Sequence, residues 1–265
     1  MLRNTSLKLL AALMISVLIV APASATNSDI GKERRWAEQI MDGLLDGDEV
    51  WLIDDIGHEF LGILTEGNAS SGRAVILIHG IGVHPNWPDV IYPLRAGLLE
   101  HGTTTLSIQM PVLANEADPR EYGLLFAEVP GRIEAALDYL EDEGYRDIVI
   151  VAHSMGASMT SFYLAQSSKA NAISSVVLIG MGPGINGTEN IDSLSKIKLP
   201  VLDLYGSRDL EQVLSSVERR AVAGKKIGAG KYRQLRVSGA NHFFQGHEPE
   251  LVRHVIEWLE SRNDS

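Results

Sequence analysis

The 265-residue chain contains no cysteine. That excludes disulfides, thiol catalysis and anchoring through a lipidated cysteine, and in an oxidising compartment it removes any risk of mispairing. Bases are scarce beside acids, with 23 Lys and Arg against 34 Asp and Glu. An acidic surface repels phosphate backbones and anionic headgroups, which argues against nucleic acid as a partner. Long hydrophobic runs are also lacking. The longest, residues 9–21, spans 13 positions, where a helix needs about 20 to cross a bilayer. No repeat or low-complexity segment stands out. No metal-ligand spacing is present either: His79 and His84 lie on a glycine loop at a separation that fits neither a helix face nor a strand face.

The short apolar run has a specific setting. Residues 1–8 carry Arg3 and Lys8 and no acid, and Ala23-Ser24-Ala25 follows the run. This is the three-part layout of a secretory signal and predicts a signal peptide over 1–25, cleaved after Ala25. Retention of the segment as an anchor is the other reading. Loss of the leader takes two bases with it and leaves 21 against 34 acids, a formal charge of −13. The remainder, 26–265, has the length of one α/β domain, with no further run long enough to span a membrane.

Along that domain the hydrophobic period alternates. A helix is predicted over 32–45, a hairpin over 49–53 and 59–66, and a loop over 67–72. From Arg73 short β-branched runs at 74–78, 103–108, 147–152, 175–179, 200–204 and 232–237 are separated by helical patterns. Those helices are expected at 89–101, 124–143, 155–166, 210–222 and 248–261. Nearly all-apolar strands alternating with helices imply a mostly parallel sheet covered by helices on both faces. Functional residues in such folds sit just beyond the carboxyl ends of the strands.

Four strand ends carry chemistry. Ile148-Val-Ile-Val-Ala152 runs into His153-Ser154-Met155-Gly156 and then a helix. A serine on a tight strand-to-helix turn, flanked by small residues, is raised above the sheet as a nucleophile. Met155 places its N–H at the helix start beside that serine. Ile76-Leu-Ile-His79-Gly80-Ile81-Gly82 ends another strand in a glycine loop whose Ile81 N–H is the expected second oxyanion donor. His242 lies between the last strand and the last helix and is the expected general base; His247 is the fallback and His254 reads as a surface residue. Asp209 follows the 200–204 strand and is the expected partner of His242. Asp203, inside that strand, ranks second.

This set resembles the α/β-hydrolase superfamily from about Arg73 onward, with Ala152 replacing the usual first glycine of G-x-S-x-G. The run His79-Gly-Ile-Gly-Val-His84-Pro-Asn-Trp87-Pro, with Ser107-Ile-Gln-Met-Pro111, is similar to a poorly characterised bacterial branch. The resemblance implies an α/β-hydrolase fold and a Ser154–His242–Asp209 triad working without metal or cofactor. Its partner would be a small ester-like substrate, most readily a carboxylic ester, with thioester or amide cleavage using the same residues. A non-catalytic binding or envelope-assembly role for the same fold is the alternative. His84, Trp87, Tyr122, Phe126 and Met181 are the expected substrate-lining residues. The short span before Leu199 predicts little or no cap. The leader places the mature protein in the periplasm or outside the cell.

Overall fold

The computed structural model describes residues 26–68, 72–185 and 188–262; the predicted signal peptide lies outside the described residues. Among the described residues ten strands form in chain order: β1 (Asp48–Ile53), β2 (Glu59–Thr65), β3 (Arg73–Ile78), β4 (Thr104–Ile108), β5 (Asp147–His153), β6 (Ile173–Ile179), β7 (Gly184–Ile185), β8 (Thr188–Glu189), β9 (Val201–Arg208) and β10 (Tyr232–Asn241). Eight of them make one sheet in the order β1-β2-β4-β3-β5-β6-β9-β10, while β7 and β8 form a separate ribbon. Only β2 runs antiparallel to its neighbours in the large sheet; from β4 to β10 every pairing is parallel.

The helices are α1 (Ile30–Asp42), α2 (Ile91–Glu100), α3 (Val129–Asp142), α4 (Met155–Leu164), α5 (Asn190–Leu194), α6 (Glu211–Leu214), α7 (Val217–Gly224) and α8 (Glu248–Glu260). Side chains alternate across the strands, as a period of two requires. Ala74, Ile76, Ile78, Ile148, Ile150 and Ala152 pack with α3 and α4. Val75, Leu77, Val149 and Val151 face the other way, onto α2 and α8. Both faces of the sheet are therefore covered, as its apolar strands predict. Register brings the strand ends level: Ile78 pairs with Ala152, His153 with Ile179, and Asn241 with Arg208.

Several boundaries differ from expectation. The helix predicted over 124–143 is two elements, a 3-10 stretch Pro119–Ala127 and then α3. Pro130 at the start of α3 lacks the N–H that a preceding turn would need. The helix predicted over 210–222 breaks between α6 and α7, where the Ser216 hydroxyl donates to the Val213 carbonyl at 2.8 Å. The last strand continues past Val237 through a register irregularity to Asn241. Stretch 110–128 is stitched down by the N-terminal segment. Asn27 N–H donates to Glu128 Oε1 at 2.6 Å, Asp29 N–H to the Val112 carbonyl at 2.7 Å and Lys32 Nζ to the Leu113 carbonyl at 2.8 Å. Between β6 and β9 the described residues hold only the β7–β8 ribbon and five-residue α5, so no cap domain is present there. Among the described residues no helix is long and apolar enough to cross a membrane.

Candidate active site

Ser154 sits between β5 and α4 at φ 56°, ψ −116°. A non-glycine residue at positive φ is strained and persists only where its surroundings over-determine it. Here its N–H donates to the Ile179 carbonyl at 2.8 Å, tying the turn to β6. Gly156 answers the crowding: a Cβ there would drive into the His79 carbonyl oxygen.

The Ser154 hydroxyl lies 2.9 Å from His242 Nε2, and His242 Nδ1 lies 2.6 Å from Asp209 Oδ1. Asp209 also accepts from Leu210 N–H at 2.8 Å and Gly206 N–H at 3.2 Å. Burial alone would raise its carboxyl, but the His242 hydrogen bond and charge, with those two N–H groups, outweigh this and hold it below the usual carboxylate value. An ionised Asp209 only accepts, so His242 carries its proton on Nδ1 and presents a bare Nε2 to the serine. Gly180, at φ +60°, leaves room for this ring; a Cβ there would stand 3.0 Å from His242 Cε1.

The glycine loop after β3 runs against the serine. A Cβ at Gly80 would lie 3.3 Å from Ser154 Cβ. His79 Nε2 accepts from Met110 N–H at 2.9 Å, so its proton is on Nδ1, which donates to the Gly80 carbonyl at 2.8 Å. In a trans peptide the next N–H points opposite to that carbonyl, so His79 fixes the direction of the Ile81 N–H. Met155 opens α4, where the first N–H groups have no acceptor within the helix.

The remaining predicted residues are dispersed. His84 is half-buried between Trp36 and Trp87, with ring centroids at 5.5 Å to each. Tyr122 is buried, its hydroxyl accepting from Leu113 N–H at 3.2 Å. Phe126 is buried edge-on against Phe162, and Met181 is wholly buried. These last three are core residues and offer a substrate no surface. Asp203 is paired with Arg220 inside the sheet. His247 and His254 pair with Glu250 and Glu257 on α8. Two residues escaped the sequence reading. Phe243 is 39 % exposed with its ring 5.1 Å from that of His242. His153 is buried beneath both. Their adjacency in sequence to His242 and Ser154 was the only available signal.

His79 and His153 stay neutral. Burial pushes their imidazoles down to about 4 and about 3. Unfolded, they would protonate near the ordinary value of about 6.5. Below that pH the unfolded chain binds more protons, so their stabilising contribution is full above about pH 6.5 and is lost as pH falls toward the folded values. At pH 5 each is expected to cost about 2 kcal/mol. Denaturant melts should therefore give a clearly lower unfolding free energy at pH 5 than at pH 7; equal values would contradict neutral burial.

A family described as a protein of unknown function (DUF3530) matches residues 20–130 and 125–261. The chain belongs to that family. No curated protein matches it. Among solved structures, Est1E from Butyrivibrio proteoclasticus is similar at 16% identity and TM-score 0.64, over 83% of this chain and all of that one. The Pyrococcus furiosus esterase Pf2001 is similar at 15% identity and TM-score 0.66, over 84% and 95%. A dienelactone hydrolase from Anabaena variabilis is similar at 20% identity and TM-score 0.65, over 82% and 97%. At such identities the likeness shows the fold: this member of the family has the α/β-hydrolase fold.

Proposed function

We propose that the protein is a serine hydrolase that cleaves carboxylic esters through an acyl-enzyme. The observation that carries the reading is the unbroken hydrogen-bond chain from Asp209 through His242 to Ser154. Ser154 Oγ attacks the acyl carbonyl as His242 Nε2 takes its proton, and Asp209 steadies the imidazolium. The Ile81 and Met155 N–H groups receive the oxyanion. His242 then protonates the leaving oxygen, and a water repeats the sequence to free the acid. Exposed Phe243 beside His242, and exposed Leu210 next to Asp209 in the chain, offer apolar surface near the triad, with His84 and Trp87 beyond the oxyanion loop. The solved neighbours include esterases, and Est1E has been seen with ferulic acid bound.

Purified protein treated with a fluorophosphonate probe is expected to label once, and Ser154→Ala to abolish the label. A folded wild type that does not label would favour a binding role for the fold; a labelled Ser154→Ala variant would move the nucleophile elsewhere. A series of p-nitrophenyl esters of rising acyl length then reports acyl preference.

We also propose export with cleavage after Ala25, supported by the leader's layout and the absence of cysteine. A full-length chain in the membrane fraction after cell fractionation would contradict cleavage.

A further inference from the structure

The proposed mechanism gives no role to the histidine beside its nucleophile. His153 immediately precedes Ser154, ends β5 and is 3 % exposed. Its Nε2 lies 3.0 Å from the main-chain carbonyl oxygen of His242. A carbonyl only accepts, so His153 Nε2 carries the proton and donates. Burial holds the imidazole neutral, pushing its value down to about 3 against the upward pull of that hydrogen bond. The two rings lie 4.8 Å apart, tilted at 42°.

What this bond joins gives it meaning. His153 ends β5, with Ser154 directly after it, and β5 is flanked by β3 and β6 in the middle of the sheet. His242 stands beyond the end of β10, the edge strand, past a register irregularity between Val237 and Asn241. The Asp209 bond orients the imidazole but comes from another segment past a strand end. Proton transfer needs His242 Nε2 within hydrogen-bond reach of Ser154 Oγ. The height of the His242 backbone above the sheet sets that reach, and the His153 donor grips that backbone from the residue next to the nucleophile.

We propose that His153 is a positioning residue: through its hydrogen bond to the His242 carbonyl it holds the general base in register with Ser154. This rests on the hydrolase reading of Ser154. Two variants separate donation from packing. His153→Leu fills most of the volume without a donor, and His153→Gln keeps a side-chain N–H at comparable reach. Misplacing a reacting group by about 1 Å can cost 100-fold, so His153→Leu is expected to lower kcat on p-nitrophenyl acetate about 10- to 100-fold with KM within about twofold. His153→Gln should recover most of that loss, although both variants have similar melting temperatures. The downfield proton of His242 Nδ1–H, read by NMR, should persist in wild type and His153→Gln and broaden or shift in His153→Leu.

Equal kcat losses in the two variants would overturn the proposal, as would full activity in His153→Leu. An inactive, unlabelled wild type would instead sink the hydrolase reading. The NMR comparison would still decide whether His153 positions His242.

Discussion

Ser154→Ala and His242→Ala are each expected to lower kcat on a p-nitrophenyl ester by roughly four to six orders of magnitude. The residual rate would come from the Ile81 and Met155 N–H donors and from binding. The double variant should be hardly worse than either single one, because the two groups act as a unit. Asp209→Asn tests a subtler point. The carboxylate keeps the His242 proton on Nδ1 from 2.6 Å, whereas an amide can offer its own donor and stabilise the opposite tautomer. That places a proton on Nε2, where a lone pair must receive the serine proton, and kcat should fall about 10⁴-fold while KM stays near wild type. Steady-state kinetics on the four variants checks this. Additive losses, or an Asp209→Asn variant close to wild type, would contradict the proposed chain.

Arg220→Met is expected to destabilise the protein by about 3–5 kcal/mol without touching the site. Arg220 and Asp203 are both wholly buried. Arg220 Nε donates to Asp203 Oδ2 at 2.8 Å, and Nη1 donates to the Val213 carbonyl at 2.9 Å and to Ser216 Oγ at 2.5 Å. The same Oδ2 accepts from Tyr232 at 2.6 Å and Gln234 at 2.9 Å. Burial, with the Asp203 charge beside it, drives the Tyr232 phenol well above its usual range, so it remains a donor. Removing the guanidinium leaves a carboxylate in the core facing only neutral donors. Among the described residues Asp203 Oδ1 and Arg220 Nη2 have no hydrogen-bond partner, so the pair is imperfectly satisfied. Arg220→Met with Asp203→Leu should therefore regain much of the stability lost in the single variant. Denaturant melts of both variants test this. A single variant within about 1 kcal/mol of wild type would show that the buried charge is solvated or protonated.

Much of the candidate site's geometry was legible because the turn that carries Ser154 is announced locally. The run from Ile148 to Ala152 can only be a buried strand, the small residues around Ser154 permit a sharp turn, and Met155 starts an apolar helix. Ile81, Asp209 and His242 were placed by the same logic of strand ends, and register brings those ends level. Three of the five expected substrate-lining residues fall elsewhere. Tyr122, Phe126 and Met181 are aromatic or flexible apolar residues after strand ends. Such residues suit a pocket wall and a core equally, and here they lie in the core. Pro119 and Pro130 marked a divided helix that apolar periodicity joined.

The sequence by itself determined the alternation of strands and helices, the mostly parallel sheet and the order Ser154, Asp209, His242, because each depends on residues close in the chain. Tertiary structure decided which histidine meets the serine, which carboxylate is free to serve it and what lies beneath them. Asp203 and Asp209 differ by six positions, yet one neutralises Arg220 and the other holds His242. Nothing in the sequence pairs His153 with a partner; β5 and the end of β10 bring its Nε2 to the His242 carbonyl. Such partners come from segments distant in the chain, and only packing fixes their distances.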